Sequence, residues 1–599
     1  MKLHYFANKE KLKKIFPYLL LFFFALVLAS FVLQIYGQDL NIPFYYLTEG
    51  TKFPYLNFDV NLYLAVTKNI SEGGWLGEFP RLGAPGVLSM QDYPFAYFQQ
   101  HSYILIKLFI LAGASYGMAI NLFFLVTFSL IAIAAFYFFK LQNISTMVSA
   151  CCSILFAFLP YHIHTGQMHL ALSFYFAIPL SMAIAFWIAE DKYFKTKEGK
   201  TIKQLDFSKI VLSLIFLFFI SSSDVYYVFY AAFIFFFSGL IASHHKKNLK
   251  PFFTGIIACS FLLAFVILFL IPVWIHKLQC SPIEAIIDRH WTHSEFWGLK
   301  TIQLLLPIRF HILEAFSGIA DSYGIYPHCH VNEAVALGLI GSLGFLSLLV
   351  WQIFPRPIEN SLDQKVLLVS KLNLLSLLCA SIGGFFTVFS FFLYPFLRAN
   401  YRVGIYIAFF SLFAIAFLLE KWKTCSFWQQ HKKLFPVFLF FITILGTIDQ
   451  NGTLAVPEYR KIQAAYCNHK DYFSSLEELL PKGSLVFQLP YASFPEGGDV
   501  HRIQMYEQFI PFLHTKQLKW SYGAVKNREI DIWLKEISQK DILSMTKELN
   551  SKGFSAILID TYGIKKMDLD NILSDLKKLS LPLLAISQDK RFITFKLLP

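Results

Sequence analysis

The stretch Leu393–Lys423, LYPFLRANYRVGIYIAFFSLFAIAFLLEKWK, sets Arg398 and Arg402 four residues apart between two apolar runs. The run after Arg402 carries no charge until Glu420 and is long enough to cross a bilayer. It ends in EKWKTCSFWQQHKK, Glu420–Lys433, a basic connection of the kind that stays cytoplasmic. With that end inside, the two arginines stand at the outer end, where positive charge is normally avoided. A guanidinium there needs lipid phosphate, an acidic side chain, or room to snorkel into headgroups.

The rest of the chain follows the same grammar. Of 599 residues, 56% are hydrophobic, 18% aromatic and only 15% charged, which excludes an ordinary soluble protein. The net charge of +13 lies largely in short lysine-rich loops, a signature of membrane topology and not of nucleic-acid binding. The first apolar run, 16–36, follows Lys9, Lys11, Lys13 and Lys14 and lacks a small-residue cleavage site, so it reads as a retained anchor. Further runs fall at 116–139, 146–160, 170–189, 208–223, 225–243, 252–275, 332–354, 372–394, 402–420 and 434–449, about eleven transmembrane helices in all.

Lysines in 191–209, HHKKNLK (244–250) and 420–433 put those connections with the N-terminus, in the cytoplasm. The alternate connections PYHIHTGQMH (160–169) and SSSD (221–224) hold no lysine or arginine. The expected fold is therefore a polytopic α-helical membrane protein, 1–450, with external loops at 37–115 and 276–331, and an extracytoplasmic, periplasmic α/β domain at 451–599. In that domain GSLVFQLPY and SAILIDTYG read as buried strands, and SSLEELL, KDILSMTKELNSKG and LDNILSDLKKL as helices.

Polar residues gather on the outer side. Asp59 in FDVN precedes a short amphipathic pattern expected to lie along the membrane, as its cap, as a reactive carboxylate, or both. Asp92 in MQDYPF is a second acidic candidate or a turn residue before Pro94. His101, His162 and His164 could donate to phosphate or sugar hydroxyls. His328, His330 and Glu333 are the candidate set for a divalent metal, and Cys280 could pair with Cys329. Arg289 and Arg309 are further anion contacts or plain surface charges, and Trp75, Trp291 and Trp297 are sugar-stacking or interfacial aromatics. Glu496, Asp499, His501 and Glu507 lie close together in a Pro/Gly-marked loop of the C-terminal domain, as a ligand loop or ordinary solvated polarity.

This plan resembles the GT-C superfamily of integral membrane glycosyltransferases: an inward N-terminus, a large first external loop opening with an aspartate, about a dozen helices and an external C-terminal domain. More locally, RLGAPGVLSMQDYPF (81–95), EFWGLKTIQLLLP (295–307), LRANYRVGIYIAFFSLFAIAFLLE (397–420), QLPYASFPEGG (488–498) and LKWSYGAVKNRE (518–529) resemble bacterial membrane proteins labelled sugar translocase, phosphoglycerol transferase or glycosyltransferase. The resemblance implies transfer of a sugar, with inversion, from a polyprenyl-phosphate donor to a glycan, lipid or other envelope acceptor at the outer face of a bacterial inner membrane. It implies Asp59 as general base on the acceptor and Arg398 and Arg402 as the grip on the donor phosphate. Asp59 lacks a neighbouring acidic residue of the D-D or D-x-D kind, so a divalent metal stays open. The alternatives are a flippase of lipid-linked sugars and a phosphoglycerol-type transferase.

Overall fold

The computed structural model describes residues 2–46, 59–196, 203–283, 289–325, 332–354, 357–395 and 398–598. The apolar runs become helices, including Lys2–Val32, Tyr116–Leu141, Thr146–Ala157, Ala177–Glu190, Phe207–Ser221, Val225–Lys246, Lys250–Gln279, Gly338–Ile353, Gly404–Trp422 and Leu434–Gln450. Among the described residues six helices are long and apolar enough to cross a membrane, and four more are apolar but shorter. Large apolar side chains such as Phe253, Ile257, Leu263 and Trp274 cover the outward face of Lys250–Gln279, a surface suited to lipid.

The ninth expected run, 372–394, is not one helix. A capping box of Asn360 and Asp363 starts a helix earlier, Ser361–Ala380, and a second helix occupies Phe385–Phe392. The break lies at Gly383, whose φ of +71° favours glycine, and Gly384, where a Cβ would meet three carbonyl oxygens within 2.7 Å. Elsewhere glycine brings helices together: a Cβ on Gly344 would stand 2.1 Å from the carbonyl oxygen of Ser411, so Gly338–Ile353 packs directly on the backbone of Gly404–Trp422.

The helix after Asp59, Val60–Ser71, corrects a second expectation. It does not lie on a membrane surface, because Val60 to Ile70 are all buried. Its polar side is covered by the C-terminal domain: Lys68 reaches Glu72 at 3.1 Å and lies over the Tyr116 and Phe512 rings. Amphipathicity here anticipates a protein neighbour as well as it does a bilayer.

The C-terminal region forms a five-stranded mixed sheet in the order Lys519–Trp520, Leu485–Leu489, Phe554–Asp560, Phe592–Lys596, Leu583–Ile586. Its Lys519–Trp520 edge is covered by the first external loop, with Trp520 N–H donating to the Arg81 carbonyl (2.9 Å) and Ala84 N–H to the Trp520 carbonyl (3.0 Å). Arg81 pairs with Glu72 at 2.6 Å, donates to the Thr515 carbonyl at 2.9 Å and lies over the Phe512 ring. Loop and sheet are thereby one body.

Inside this domain Arg591 serves two carboxylates, Asp560 at 2.8 Å and Glu507 at 3.1 Å, all three buried. Burial pushes the Glu507 carboxyl from 4.5 up to about 7, against the pull of Arg591. A carboxyl whose folded pKa is raised contributes stability below its unfolded pKa, and loses it as pH rises through the folded value. Melting of the detergent-solubilised protein should therefore drop between about pH 5 and about pH 8, and the drop should shrink in Glu507→Gln. An identical drop in the variant would remove Glu507 as its source.

Candidate functional site

Seven separate stretches of chain enclose a polar hollow of about 140 Å3 at one end of the bundle, lined by Asp59, Tyr93, His169, Asp224, Arg289, Arg398, Arg402 and Glu496 among others. Asp59 occupies the position before Val60–Ser71 without a side-chain capping bond; its Oδ2 instead meets His169 Nδ1 at 2.8 Å. Of the two roles weighed for Asp59, the geometry thus leaves the carboxylate turned to the hollow. Asp224 does cap its helix, accepting from Tyr226 N–H at 2.9 Å.

Arg402 sits on the tight turn Asn400–Val403 ahead of Gly404–Trp422. Its guanidinium lies 4.3 Å from the Tyr226 ring centre, its Nε is buried without a hydrogen-bond partner, and among the described residues no carboxylate lies within ion-pair distance. Arg289 makes a two-point pair with Glu496, both contacts 3.0 Å, and Arg398 Nη1 is 4.0 Å from the same carboxylate. Glu496 adopts a left-handed φ of 50°, which carries it from the C-terminal domain towards these arginines, and it accepts from the Tyr93 hydroxyl at 3.3 Å.

Thus Asp59, Arg289, Arg398, Arg402 and Glu496 are brought together, and Asp92, His101, His162, His164 and Arg309 do not line the hollow. Asp92 is buried outside the hollow, held by Arg528 at 2.6 and 3.0 Å and by His276 Nε2 at 3.0 Å. With both oxygens engaged it fastens the first loop to the C-terminal domain, a positioning task in place of the catalytic one expected. Asp92→Ala strands Arg528 and His276, so it should lower unfolding stability by about 2 kcal/mol in a denaturant titration; an unchanged midpoint would deny the latch.

His162 is buried against Phe128, with ring centres 3.8 Å apart, and bonds Thr127 Oγ1 and the Ala157 carbonyl. His101 contacts the Ser222 carbonyl at 2.7 Å and packs on Phe174 and Phe176. His162 is a core histidine away from the hollow, and His101 is half-buried and lines a separate apolar recess. His164, on Pro160–Thr165, does not line the hollow either, and Arg309 lies 3.9 Å from Asp321 in a separate loop. Trp291 and Trp297 pack against Phe391 and Tyr401. His328, His330 and Cys329 fall outside the described residues, as does the side chain of Glu333. Among the described residues no three carboxylate, imidazole or thiol groups converge as a metal site.

What the sequence reading undervalued is His169, Asp224 and Glu496. His169 and Asp224 end the two connections free of lysine and arginine, each one residue ahead of a helix, and that position was their signal. Glu496 was grouped with Asp499, His501 and Glu507, but the fold turns Glu507 inward to Arg591 and leaves Glu496 at the hollow.

Fold and apolar helices together are those of a polytopic membrane protein. No protein-family model matches the chain, and no curated protein sequence matches it. Among solved structures it is similar to ArnT from Cupriavidus metallidurans bound to undecaprenyl phosphate, with a TM-score of 0.50 and 11% identity over 97% of this chain and 98% of that one. The apo state of that protein gives a TM-score of 0.48 and 10% identity over 96% and 97% of the two chains. AglB from Archaeoglobus fulgidus, an archaeal oligosaccharyltransferase in complex with an inhibitory peptide and a dolichol-phosphate, gives 0.42 and 11% over 92% and 70%.

Proposed function

We propose that this chain is a membrane glycosyltransferase that moves a sugar from a polyprenyl-phosphate donor to an envelope acceptor at the outer face of a bacterial inner membrane. The observation that carries the reading is the pairing, in one hollow, of a carboxylate, Asp59, with an arginine, Arg402, that makes no ion pair within contact distance among the described residues. The helices Val60–Ser71, Val225–Lys246 and Gly404–Trp422 begin at the hollow, and their N-terminal dipole ends favour a negative charge there. The ArnT structure of similar fold holds undecaprenyl phosphate, a carrier of the chemical class that such a pocket suits.

A separate apolar recess of about 590 Å3, lined by Tyr18, His101, Leu130, Phe174, Phe216 and Phe219 among others, has the surface a prenyl chain would need. The carbon–oxygen bond to the donor phosphate breaks as the acceptor oxygen forms its bond on the opposite face of the anomeric carbon, which inverts it. Asp59 Oδ1 accepts the acceptor's proton, while Oδ2 is held by His169. The negative charge released on the phosphate grows opposite Arg402 and Arg398, so these cations stabilise the transition state more than the ground state.

The test is transfer of radiolabelled sugar by the purified full-length protein from a panel of polyprenyl-phosphate sugars. Turnover with one donor is the expected result. Lipid-phosphate binding without turnover on any donor or acceptor would instead support a flippase.

A further inference from the structure

At the opposite end of the bundle from the Asp59 hollow is a pocket of about 300 Å3 between the ends of Ala177–Glu190 and Val225–Lys246 and the start of Ser361–Ala380. Val225–Lys246 links the two sites: its first residues line the hollow and its last line the pocket, 22 residues or roughly 30 Å apart. The wall is apolar, with Phe186, Ile241 and Leu368, and the rim is basic, with Lys365, Lys371 and His245. The pocket's one carboxylate, Glu190, is already taken, by Lys192 at 2.7 Å and by the buried Lys365 at 3.3 Å. Among the described residues Lys371 pairs with no carboxylate; its Nζ hydrogen-bonds His245 Nε2.

Lys371 and His245 thus bond each other beside an apolar wall, and with Glu190 engaged by Lys192 and Lys365 neither has an anionic partner among the described residues. We infer that this pocket binds a phosphate-bearing anion, held by Lys371 and His245. The apolar wall suits the glycerol backbone and first methylenes of an anionic phospholipid, and basic pockets between helix ends are where such headgroups bind. A bound phosphate would accept from Lys371 Nζ and from His245, and would replace their mutual contact. This reading does not depend on the chemistry at the outer hollow.

The experiment uses the full-length protein in detergent, with lipid retention read by native mass spectrometry against phosphatidylglycerol and, separately, phosphatidylcholine. A second arm follows thermal stabilisation by inorganic phosphate. Preference for phosphatidylglycerol by roughly fivefold or more, lost in Lys371→Ala and in His245→Ala, is the expected result. The control Lys421→Ala removes an exposed lysine already paired with Asp363 and should leave the preference intact. Stabilisation by inorganic phosphate alone, again lost in both variants, supports the same site with a soluble ligand. Melting of the variants at the wild-type temperature separates lost binding from lost folding; should Lys371→Ala melt early, Lys371→Gln replaces it. No preference and no phosphate effect in the wild type, or effects unchanged in the variants, overturn the inference.

Discussion

Asp59→Asn should lower sugar transfer by about a thousandfold while leaving donor binding within a factor of a few. Asparagine matches the carboxylate in shape, and Asp59 makes no capping bond, so the start of Val60–Ser71 loses no side-chain cap. What disappears is the ability to take a proton from the acceptor hydroxyl as it attacks. His169 provides the control. It donates to or shares a proton with Asp59 at 2.8 Å and thereby orients it, so His169→Ala should cost about tenfold by letting the carboxylate rotate. Were the imidazole the true base, the order of the two losses would reverse. Initial rates at saturating donor, with donor binding measured separately, distinguish these outcomes. Near-wild-type transfer by Asp59→Asn would leave Asp59 as no more than a wall of the hollow.

The helices were legible because lipid demands long apolar runs and basic loops, and both signals are local. Where one failed, at 372–394, the signal was also local: SIGG, 381–384, ends one helix, and a hydropathy window averages over it. The arginines were legible for a different reason, since Arg398 and Arg402 break the charge rule that sorts the other basic clusters. Asp92 shows the limit. In sequence it is indistinguishable from a catalytic carboxylate, because its partners Arg528 and His276 come from 436 and 184 residues away. Glu496 shows the converse: it shares one polar loop with Glu507, yet Glu496, with φ of 50°, lines the hollow while Glu507 turns inward to Arg591. Long-range partnership, which one sequence does not encode visibly, decides between latch and site.

Arg402 should behave as a residue kept for function at some cost to stability. Its guanidinium is enclosed among Tyr226, Tyr401 and the helix ends; the Tyr226 face offers modest compensation, and among the described residues no carboxylate forms an ion pair with it, Asp224 acting only at longer range. A buried cation without an ion partner destabilises the empty protein, so Arg402→Met, which keeps an apolar stem, should leave stability unchanged or raise it by about 1 kcal/mol. The same substitution should reduce turnover by about a hundredfold to a thousandfold, the scale of removing one preorganised donor from a developing negative charge. Arg402→Lys restores charge without the planar fork and should fall between them. Thermal unfolding and turnover, measured on the same three proteins, give opposite signs if the arginine waits for a phosphate. A joint loss of stability and activity in Arg402→Met would mean that Tyr226 and the surrounding helices, and no absent anion, are its partners.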